Sequence, residues 1–346
     1  MNLRGWGIKL IDKRRDSREK KLEKVDSILF DGGRIGDIMT KTPMIRALGE
    51  SGKNFKIDVL VQRGAQDLLK NNPYINNIII KEKNIFFNFW RLRNRYSLYI
   101  DFSNRVNFLH VLGMRVLNPR YIIGGYRREK YGIKRDGLNL IDAYVEFKPD
   151  EHALVSSLKA IEPLGIQTEN KRYEIFLGES ENSYREYFSK ERKNIVFNFT
   201  AGSADRGLNE EHIEFFLSEI PKLDEKIQLH IMTMPDRYEE FKERVKKYDG
   251  EKVKLLPKTK TILEAGALVK ECDLLFSVDT GIVHVASAFN TPIVVISPNE
   301  ETALKLFAPT SEVSYVVKAS SRKEINSFDK VEVLEKIRLW LRGDKR

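Results

Sequence analysis

The chain has one cysteine, Cys272, and no apolar run long enough to cross a membrane. A single cysteine excludes an intrachain disulfide and fits a reducing compartment, and its apolar neighbours predict a buried, inert thiol rather than a nucleophile. A bilayer-spanning helix needs about 20 apolar residues, and unbroken runs such as Ile78–Ile80 are far shorter. Residues 1–15 lack the apolar core of a secretory signal. We therefore expect a cytoplasmic protein.

Low-complexity composition is also absent, because 41% of the 346 residues are hydrophobic and 32% are charged. This length exceeds the roughly 250–300 residues that one hydrophobic core usually serves, so two domains are expected. Residues 1–150 carry 30 Lys or Arg and 17 Asp or Glu, whereas residues 151–346 carry 30 and 33. The asymmetry indicates an anionic partner for the first half, and charge alone leaves nucleic acid, an acidic membrane and a phosphorylated substrate open.

Short β-branched apolar segments alternate with helical patterns from Asp26 onwards, which predicts βα units and parallel sheets covered on both faces. The alternation restarts at Ile195, after a predicted strand at Tyr173–Leu177 and a polar stretch. We therefore predict two Rossmann-like domains, 1–178 and 179–330, with a ligand cleft between them.

A glycine-rich loop, DGGRIGD, follows the first strand and leads into a helical pattern that begins near Ile38. It is not the G-x-G-x-x-G fingerprint, so NAD binding is not indicated. The glycines let a ligand approach the backbone, and Asp37 falls in the first turn of the helix, facing the expected cleft. Its spacing fits equally a helix cap and a catalytic base that the helix N-terminus keeps ionised. Arg34 is either a solvated charge or an anion anchor.

Two loops of the second half also follow apolar strands. The first, TAGSADRG, supplies hydroxyls, flexible backbone and the guanidinium of Arg206, which suit phosphate groups, although an ordinary polar turn has the same composition. The second, DTGIVH, opens a helix at Thr280 and Gly281, where backbone N–H groups favour an anion. His284 lies one turn further along and is either a ligand contact or a core residue.

Together these loops resemble glycosyltransferase family 9, the bacterial heptosyltransferases that build the inner core of lipopolysaccharide. Four segments carry the resemblance, in the family's order and spread from residue 28 to residue 296: ILFDGGRIGDIMTKTPMIRAL, LLKNNPYINNII, FNFTAGSADRGLNEEHI and DLLFSVDTGIVHVASAFNTPIVVI. The D-T-G-x-x-H segment followed by T-P is the most specific. The resemblance implies an α/β protein of the GT-B fold, in which two Rossmann-like domains face each other across a cleft, with the acceptor on the first and an ADP-sugar on the second.

Positions that match the family's motifs imply the site residues. Asp37 resembles the general base, and Arg206 stands where the family commonly has a lysine, a change that keeps the charge but offers a bidentate fork. Leu208 and Asn209 replace the usual W-P, which leaves the shape of the donor loop and the donor's identity open. The implied donor-binding residues are Thr200, Ala201, Gly202, Ser203, Arg206, Asp279, Thr280, Gly281 and His284, and the acceptor candidates are Gly33, Arg34, Gly36, Arg127 and Arg128.

The mechanism implied is one inverting displacement that moves heptose from ADP-heptose to the lipopolysaccharide core. Asp37 takes the proton of the acceptor hydroxyl, while Arg206 and the helix end at Thr280–Gly281 hold the departing diphosphate. The sequence contains neither D-x-D nor a paired-histidine motif, so no metal and no cofactor is expected. The alternatives are another nucleotide sugar, a non-catalytic relative, and a basic nucleic-acid-binding protein; the last does not explain the two phosphate-suited loops.

The family's acceptor is a lipid-anchored phosphorylated saccharide, which implies a peripheral protein in transient contact with the cytoplasmic face of the inner membrane and no nucleic-acid partner. In a basic extension, residues 1–25, the side chains of Leu3, Trp6, Leu10 and Ile11 line one side of a helix that is either a membrane anchor or a solvated helix packed across the other domain. In this fold the terminal helix, within 331–346, returns to the first domain. Further basic candidates for acceptor phosphates are Arg91, Arg93, Arg95, Lys130, Lys134 and Arg135.

Overall fold

The computed structural model describes residues 3–13, 22–103, 105–148, 150–202 and 206–344. The chain divides into two compact units, Met1–Arg172 and Tyr173–Arg346. The division lies a few residues before the boundary predicted at 178. Among the described residues, no helix is both long and apolar enough to span a bilayer.

The first unit is built on a sheet of six parallel strands, and the middle residues of its central strands are apolar and buried because both faces of the sheet are covered. In register, Phe30 lies opposite Val59 on one side and Ile100 on the other, and all three are buried. The strands are β1 (Ser27–Gly33), β2 (Lys56–Val61), β3 (Asn77–Ile80), β4 (Leu98–Asp101), β5 (Tyr121–Gly125) and β6 (Ala143–Val145). They lie in the order β3-β2-β1-β4-β5-β6, the order of a Rossmann fold.

The helices of the first unit begin where the sequence supplies caps or rigid first turns. The side chains of Asn84 and Asn107 accept hydrogen bonds from N–H groups in the first turns of two of them. One helix predicted near 38–48 is two helices, because Pro43 has no N–H to continue the first and instead sits in the opening turn of the second. The helices are α1 (Leu3–Ile11), α2 (Ile35–Met39), α3 (Thr42–Gly49), α4 (Ile85–Arg91), α5 (Phe108–Leu117) and α6 (Ala153–Lys159).

The second unit repeats the same design. Its strands are β7 (Lys193–Asn198), β8 (Ile227–Met232), β9 (Val253–Leu255), β10 (Leu274–Val278), β11 (Ile293–Ser297) and β12 (Ser314–Lys318). Their order, β12-β11-β10-β7-β8-β9, is again the Rossmann order, and every pairing is parallel. The helices are α7 (Glu210–Glu219), α8 (Tyr238–Arg244), α9 (Ile262–Glu271), α10 (Gly281–Ala288), α11 (Glu301–Phe307) and α12 (Lys330–Leu341). A core of stacked and edge-on phenylalanines, including Phe197, Phe216 and Phe276, holds this unit together.

Two predicted features differ from the structure. The segment Tyr173–Leu177 is not a strand; it connects the two sheets, and Tyr173 is buried with its ring 6.2 Å from that of His284. The terminal helix α12 does not leave its unit, because Val333, Leu334 and Ile337 bury their side chains in the core of the second unit, beside β11 and β12. The expectation that the terminal helix within 331–346 returns to the first domain is therefore wrong for the described part of this helix.

Candidate active site

In each unit the crevice of a Rossmann fold lies where the strand order reverses, at the carboxyl ends of the two central strands. In the first unit these strands are β1 and β4, which end at Gly33 and Asp101. In the second unit they are β7 and β10, which end at Asn198 and Val278. The three loops that the sequence singled out, DGGRIGD, TAGSADRG and DTGIVH, lie at the ends of β1, β7 and β10, three of these four strands.

The glycine-rich loop is folded tightly around Asp37. Gly33 has a φ of +81°, a conformation that side chains rarely adopt, and a Cβ at this position would lie 2.7 Å from Oδ2 of Asp37. Oδ2 accepts a hydrogen bond of 3.0 Å from the backbone N–H of Arg34, the residue that precedes α2. Among the described residues, only this oxygen of the carboxylate is engaged. Asp37 therefore supports the helix start with one oxygen and leaves the other without a hydrogen bond from a described residue, so the cap and the base are compatible interpretations of its spacing.

A buried cation lies directly beneath this loop. Nζ of Lys41 donates to the backbone carbonyl of Asp37 at 2.8 Å and to that of Gly32 at 3.3 Å, and lies 5.0 Å from the centre of the Phe102 ring. Burial lowers the pKa of Lys41, and the negative charges of Asp37 and Asp31 oppose this shift. Lys41 was not among the sequence candidates, although it follows Asp37 by four residues on a helical pattern, a spacing that puts both side chains on one face.

A cavity of about 900 Å³ opens at the carboxyl ends of the first unit's strands. Its wall carries more positive than negative charge, and the two acids on it are partly neutralised: Lys81 is 2.5 Å from Asp31, and Glu82 is 3.6 Å from Arg91. The basic residues on the wall are Arg63, Lys81, Lys83, Arg105 and Lys130. Only Lys130 was among the sequence candidates, and the others could have been found because they follow strand ends.

A buried ionic cluster stands behind one wall of the cavity. Asp101, at the end of β4, accepts hydrogen bonds from the guanidinium of Arg127 and from the N–H of Ser103, and lies 3.2 Å from Nε2 of His110, a cavity residue. Burial alone would raise the pKa of Asp101, but His110 and Arg127 beside it hold the pKa below its usual range. Nη1 of Arg127 donates to the carbonyl of Arg105 at 2.7 Å.

Arg127, an acceptor-binding candidate from the sequence, does not present its side chain on the surface of the first unit. Its side chain is buried in this cluster, because a guanidinium next to Asp101 is the partner that a buried carboxylate requires. Arg34 is exposed, and its Nε donates to Gln62 at 3.3 Å beside the cavity. Gly33 and Gly36 lie in the same loop, and Arg128 is exposed.

In the second unit, a hydrogen-bonded set joins the ends of β7 and β10. Nδ2 of Asn198 donates to Oγ of Ser277 at 2.9 Å and to the carbonyl of Thr200 at 3.1 Å, while the Thr200 hydroxyl donates to Oδ1 of Asn198 at 3.0 Å. This set fixes the start of the hydroxyl-rich loop. Ala201 and Gly202 follow it, and Ser203 lies outside the described residues.

Arg206 and Asp279 meet at the start of α10. Nη2 of Arg206 donates to the backbone carbonyl of Asp279 at 2.9 Å and to its Oδ2 at 3.1 Å. Burial raises the pKa of Asp279, and the charge of Arg206 opposes this shift. Thr280 precedes the helix in an extended conformation and Gly281 begins it. A half-exposed guanidinium, 46% accessible, is thus held beside N–H groups of a helix N-terminus, an arrangement that favours phosphate oxygens.

His284 is a core residue by burial, since it is 5% exposed and its ring is 6.2 Å from those of Tyr173 and Phe307. The two residues that depart from the family's pattern also have structural roles. Leu208 is buried in the second core, and Asn209 caps α7 by accepting the N–H of His212 at 2.9 Å.

The solved structures that resemble this chain have the same architecture. A glycosyl transferase of family 9 from Veillonella parvula has a TM-score of 0.73 at 14% identity, with 95% of this chain and 100% of that chain covered. The E. coli heptosyltransferase WaaC, solved with ADP and with ADP-2-deoxy-2-fluoro heptose, has TM-scores of 0.66 and 0.67 at 15% identity, with 90% and 99% covered. The two Rossmann-like units therefore form the GT-B fold of nucleotide-sugar glycosyltransferases, as predicted.

The sequence comparisons narrow this class to a family. An E. coli K12 protein named "Putative lipopolysaccharide heptosyltransferase 4" is 26% identical over 289 residues, which is 80% of this chain and 74% of that protein. The model of glycosyltransferase family 9 (heptosyltransferase) matches residues 116–338. The chain belongs to glycosyltransferase family 9 and is an enzyme of the heptosyltransferase type.

Proposed function

We propose that this enzyme transfers heptose from ADP-heptose to the inner core of lipopolysaccharide, with inversion and without a metal. The observation that carries the proposal is the Arg206 guanidinium held on Asp279 at the first turn of α10. A leaving diphosphate needs positive charge where its new negative charge develops, and a guanidinium beside a helix N-terminus supplies it. The ADP-sugar bound to WaaC supports the same class of donor here.

In the proposed reaction, Asp37 removes the proton from the acceptor hydroxyl as the oxygen attacks the anomeric carbon. A new carbon–oxygen bond forms, the bond from that carbon to the diphosphate breaks, and ADP leaves with the electron pair. Oδ1 of Asp37 is the oxygen for this role, because Oδ2 is engaged by the N–H of Arg34.

The cavity of the first unit is the proposed site of the acceptor. Its volume of about 900 Å³ suits an oligosaccharide, and its basic wall suits phosphate groups on that saccharide. The acceptor proposed is lipid-anchored, so the reaction takes place at the cytoplasmic face of the inner membrane.

The donor is tested by thermal shift with ADP, UDP and GDP side by side. A ligand at a hundred times its dissociation constant adds about 2.7 kcal/mol to the free energy of unfolding, so a preference is readily measured. Arg206→Met should weaken ADP binding about tenfold or more, and Arg206→Lys should weaken it less, because lysine keeps the charge. Arg322→Met is the matched control, since Arg322 forms an exposed pair with Glu300 in the same unit. A stronger shift with UDP or GDP would replace ADP-heptose as the donor.

The base is tested by Asp37→Asn, which keeps an oxygen to accept the N–H of Arg34 but removes the carboxylate. Release of ADP from ADP-heptose, measured with a core acceptor, should fall by a factor of about 10² to 10⁴. The ADP thermal shift and the melting temperature should remain those of the wild type. A variant that retains a near-normal rate would remove Asp37 from this role.

The acceptor cavity is tested by Lys83→Ala and Arg105→Ala, which remove basic side chains from its wall. Each should raise the KM for a phosphorylated core acceptor, with a smaller effect on a dephosphorylated one and none on ADP binding. Lys56→Ala is the control, because Lys56 is exposed at the opposite, amino end of β2. Equal effects of all three variants would refute the assignment of the cavity.

A further inference from the structure

Three helices of the first unit form one layer that is unusually apolar on its outer side. Helix α5 packs against both α1 and α4: Gly7 of α1 faces the ring of Phe108, and Gly113 of α5 faces the ring of Phe89. At both glycines a Cβ would crowd the facing ring, so the helices approach closely there. Five large apolar side chains on this layer are 46% to 56% exposed: Trp6, Leu10, Phe87, Trp90 and Leu109.

Exposed apolar residues elsewhere in the described chain are isolated. Tyr187, Met234 and Val331 lie in three separate segments of the second unit. Single exposed apolar side chains are normal on a protein surface, whereas several on adjoining elements mark a binding surface. We call the exposed side of α1, α4 and α5 the helical face.

The helical face is bordered by positive charge. Segments 3–13, 82–95 and 105–117 contain only two acids, Asp12 and Glu82. Asp12 is buried and accepts the N–H groups of Asn139 and Leu140, each at 2.9 Å, and Glu82 is 3.6 Å from Arg91. The exposed basic residues in these segments are Lys9, Lys13, Lys83, Arg91, Arg93, Arg95 and Arg105. The partner that this charge fits is anionic.

The side chains on the helical face are those of an interfacial protein surface. Two of the three tryptophans of the chain lie there, and the guanidinium of Arg93 stacks 4.9 Å from the Trp90 ring. Tryptophan and phenylalanine beside lysine and arginine favour the boundary between lipid headgroups and acyl chains, where the rings enter and the charges meet anionic headgroups. Helices α1, α4 and α5 have nine, seven and ten residues, lengths suited to lying on a membrane rather than crossing it.

We infer that the helical face docks the enzyme on an anionic lipid bilayer. This assigns the docking surface to α4 and α5 as well as α1, where the sequence suggested only the N-terminal extension. Helix α1 contributes as a fixed part of the first unit, since Ile8 is fully buried in its core and Asp12, just after the helix, accepts hydrogen bonds from the side chain of Asn139. Trp6 and Leu10 then remain available to the membrane.

The helical face adjoins the cavity described above. Leu109 belongs to both, and Lys83 lies on the cavity wall just before α4. Docking would therefore bring the mouth of the cavity to the membrane surface, where a lipid-anchored saccharide is presented. This consequence rests on the proposed function, whereas docking itself does not.

The test uses the full chain and vesicles without any acceptor or donor. In a Trp340→Phe background, Trp6 and Trp90 are the only tryptophans, because Trp340 packs on the core of the second unit. Vesicles of phosphatidylcholine with phosphatidylglycerol should shift their emission to the blue, and brominated lipids should quench it. Pure phosphatidylcholine vesicles should give neither effect at the same concentration.

Variants then distinguish binding through the helical face from nonspecific adsorption of the protein to vesicles. Trp6→Ser/Trp90→Ser should reduce co-sedimentation with anionic vesicles about tenfold or more, and Arg91→Glu/Arg93→Glu should reduce it about fivefold per charge removed. Met234→Ser/Val331→Ser is the matched control and should bind like the wild type. Equal losses in the control, or unchanged binding in the tryptophan variant, would overturn the inference. The ADP thermal shift should be that of the wild type in all these variants. A loss of vesicle binding with a normal ADP shift is then an effect on docking and not a failure of the proposed function.

Discussion

Removal of Arg127 provides a direct test of the ionic cluster behind the cavity. In Arg127→Leu, the carboxylate of Asp101 remains buried, and its remaining partners among the described residues are the N–H of Ser103 and the ring of His110. Removing one partner of a buried ion pair costs about 3–5 kcal/mol, because the other charge is left without compensation. That amount is a large part of the 5–15 kcal/mol that stabilises a typical domain.

The pH dependence of this loss has a definite sign. In the wild type, the pKa of Asp101 is held below its usual range, so Asp101 contributes stability above about pH 4 that is lost as the pH falls through its folded pKa. Without Arg127, burial dominates, and the folded protein binds the proton more readily. The difference between wild type and Arg127→Leu should therefore narrow below about pH 4. Asp101→Asn/Arg127→Leu should be more stable than Arg127→Leu alone, because it leaves no buried charge.

Hydrogen exchange read peptide by peptide at increasing urea is the appropriate assay, since it separates the two units. In Arg127→Leu, the free energy of opening measured for peptides that cover β4 and β5 should fall by most of the about 3–5 kcal/mol given above. Peptides from β7 and β10, in the second unit, serve as an internal control. A loss under 1 kcal/mol, or a double variant less stable than Arg127→Leu, would refute the role assigned to this pair.

Three further predictions concern single residues. Burial lowers the pKa of His230 on β8 to about 3, so the neutral ring contributes stability that is full above pH 6.5 and is lost as the pH falls toward 3, by about 2 kcal/mol at pH 5. His230→Phe should therefore reduce the dependence of the second unit's unfolding free energy on pH, measured by hydrogen exchange, and an unchanged dependence would contradict this. Gly64→Ala should lower the free energy of urea unfolding by about 1–2 kcal/mol, because Gly64 has a positive φ and its Cβ would meet nothing. Gly33→Ala should lower it further and should also lower kcat, because Gly33 has a positive φ as well and its Cβ would lie 2.7 Å from Oδ2 of Asp37; equal unfolding free energies and an unchanged kcat would contradict this. Burial raises the pKa of Cys272, so Ellman's reagent should react with it only after unfolding, and rapid labelling of the native protein would show that the thiol is accessible.

Much of the fold could be predicted from the sequence because its central strands are short and mostly apolar. The segments 227–232, 274–278 and 293–297 coincide with β8, β10 and β11, since a strand covered on both faces buries nearly all of its side chains. Residues 103–150 were not assigned, because β5 ends in Gly124 and Gly125 and β6 has three residues, so neither produces a distinct pattern. The packing of α12 was mispredicted because the expectation came from the fold that the resemblance implies, and the apolar residues of a helix do not show which surface covers it.

The candidate site could be predicted only where a ligand-binding loop has a local signature. The glycines around Asp37 and the turn at Thr280 and Gly281 could be recognised in the sequence, because a close approach of the backbone and the start of a helix each allow few residue types. The partner of Asp101 could not be found in this way, since Asp101 and Arg127 are joined only when β4 and β5 pair.

The positions of the basic side chains in the first half indicate which anionic partner this half binds. A chain that used this charge for nucleic acid would place it on a continuous surface with aromatic rings available for stacking. Here the charge is divided between the wall of a concave cavity and the border of the helical face, and Leu109 belongs to both surfaces. A soluble phosphorylated sugar would need only the cavity, and a membrane anchor alone would need only the helical face. A phosphorylated saccharide carried on a lipid needs both at adjacent positions, so the location of the charge favours this acceptor more strongly than its amount does.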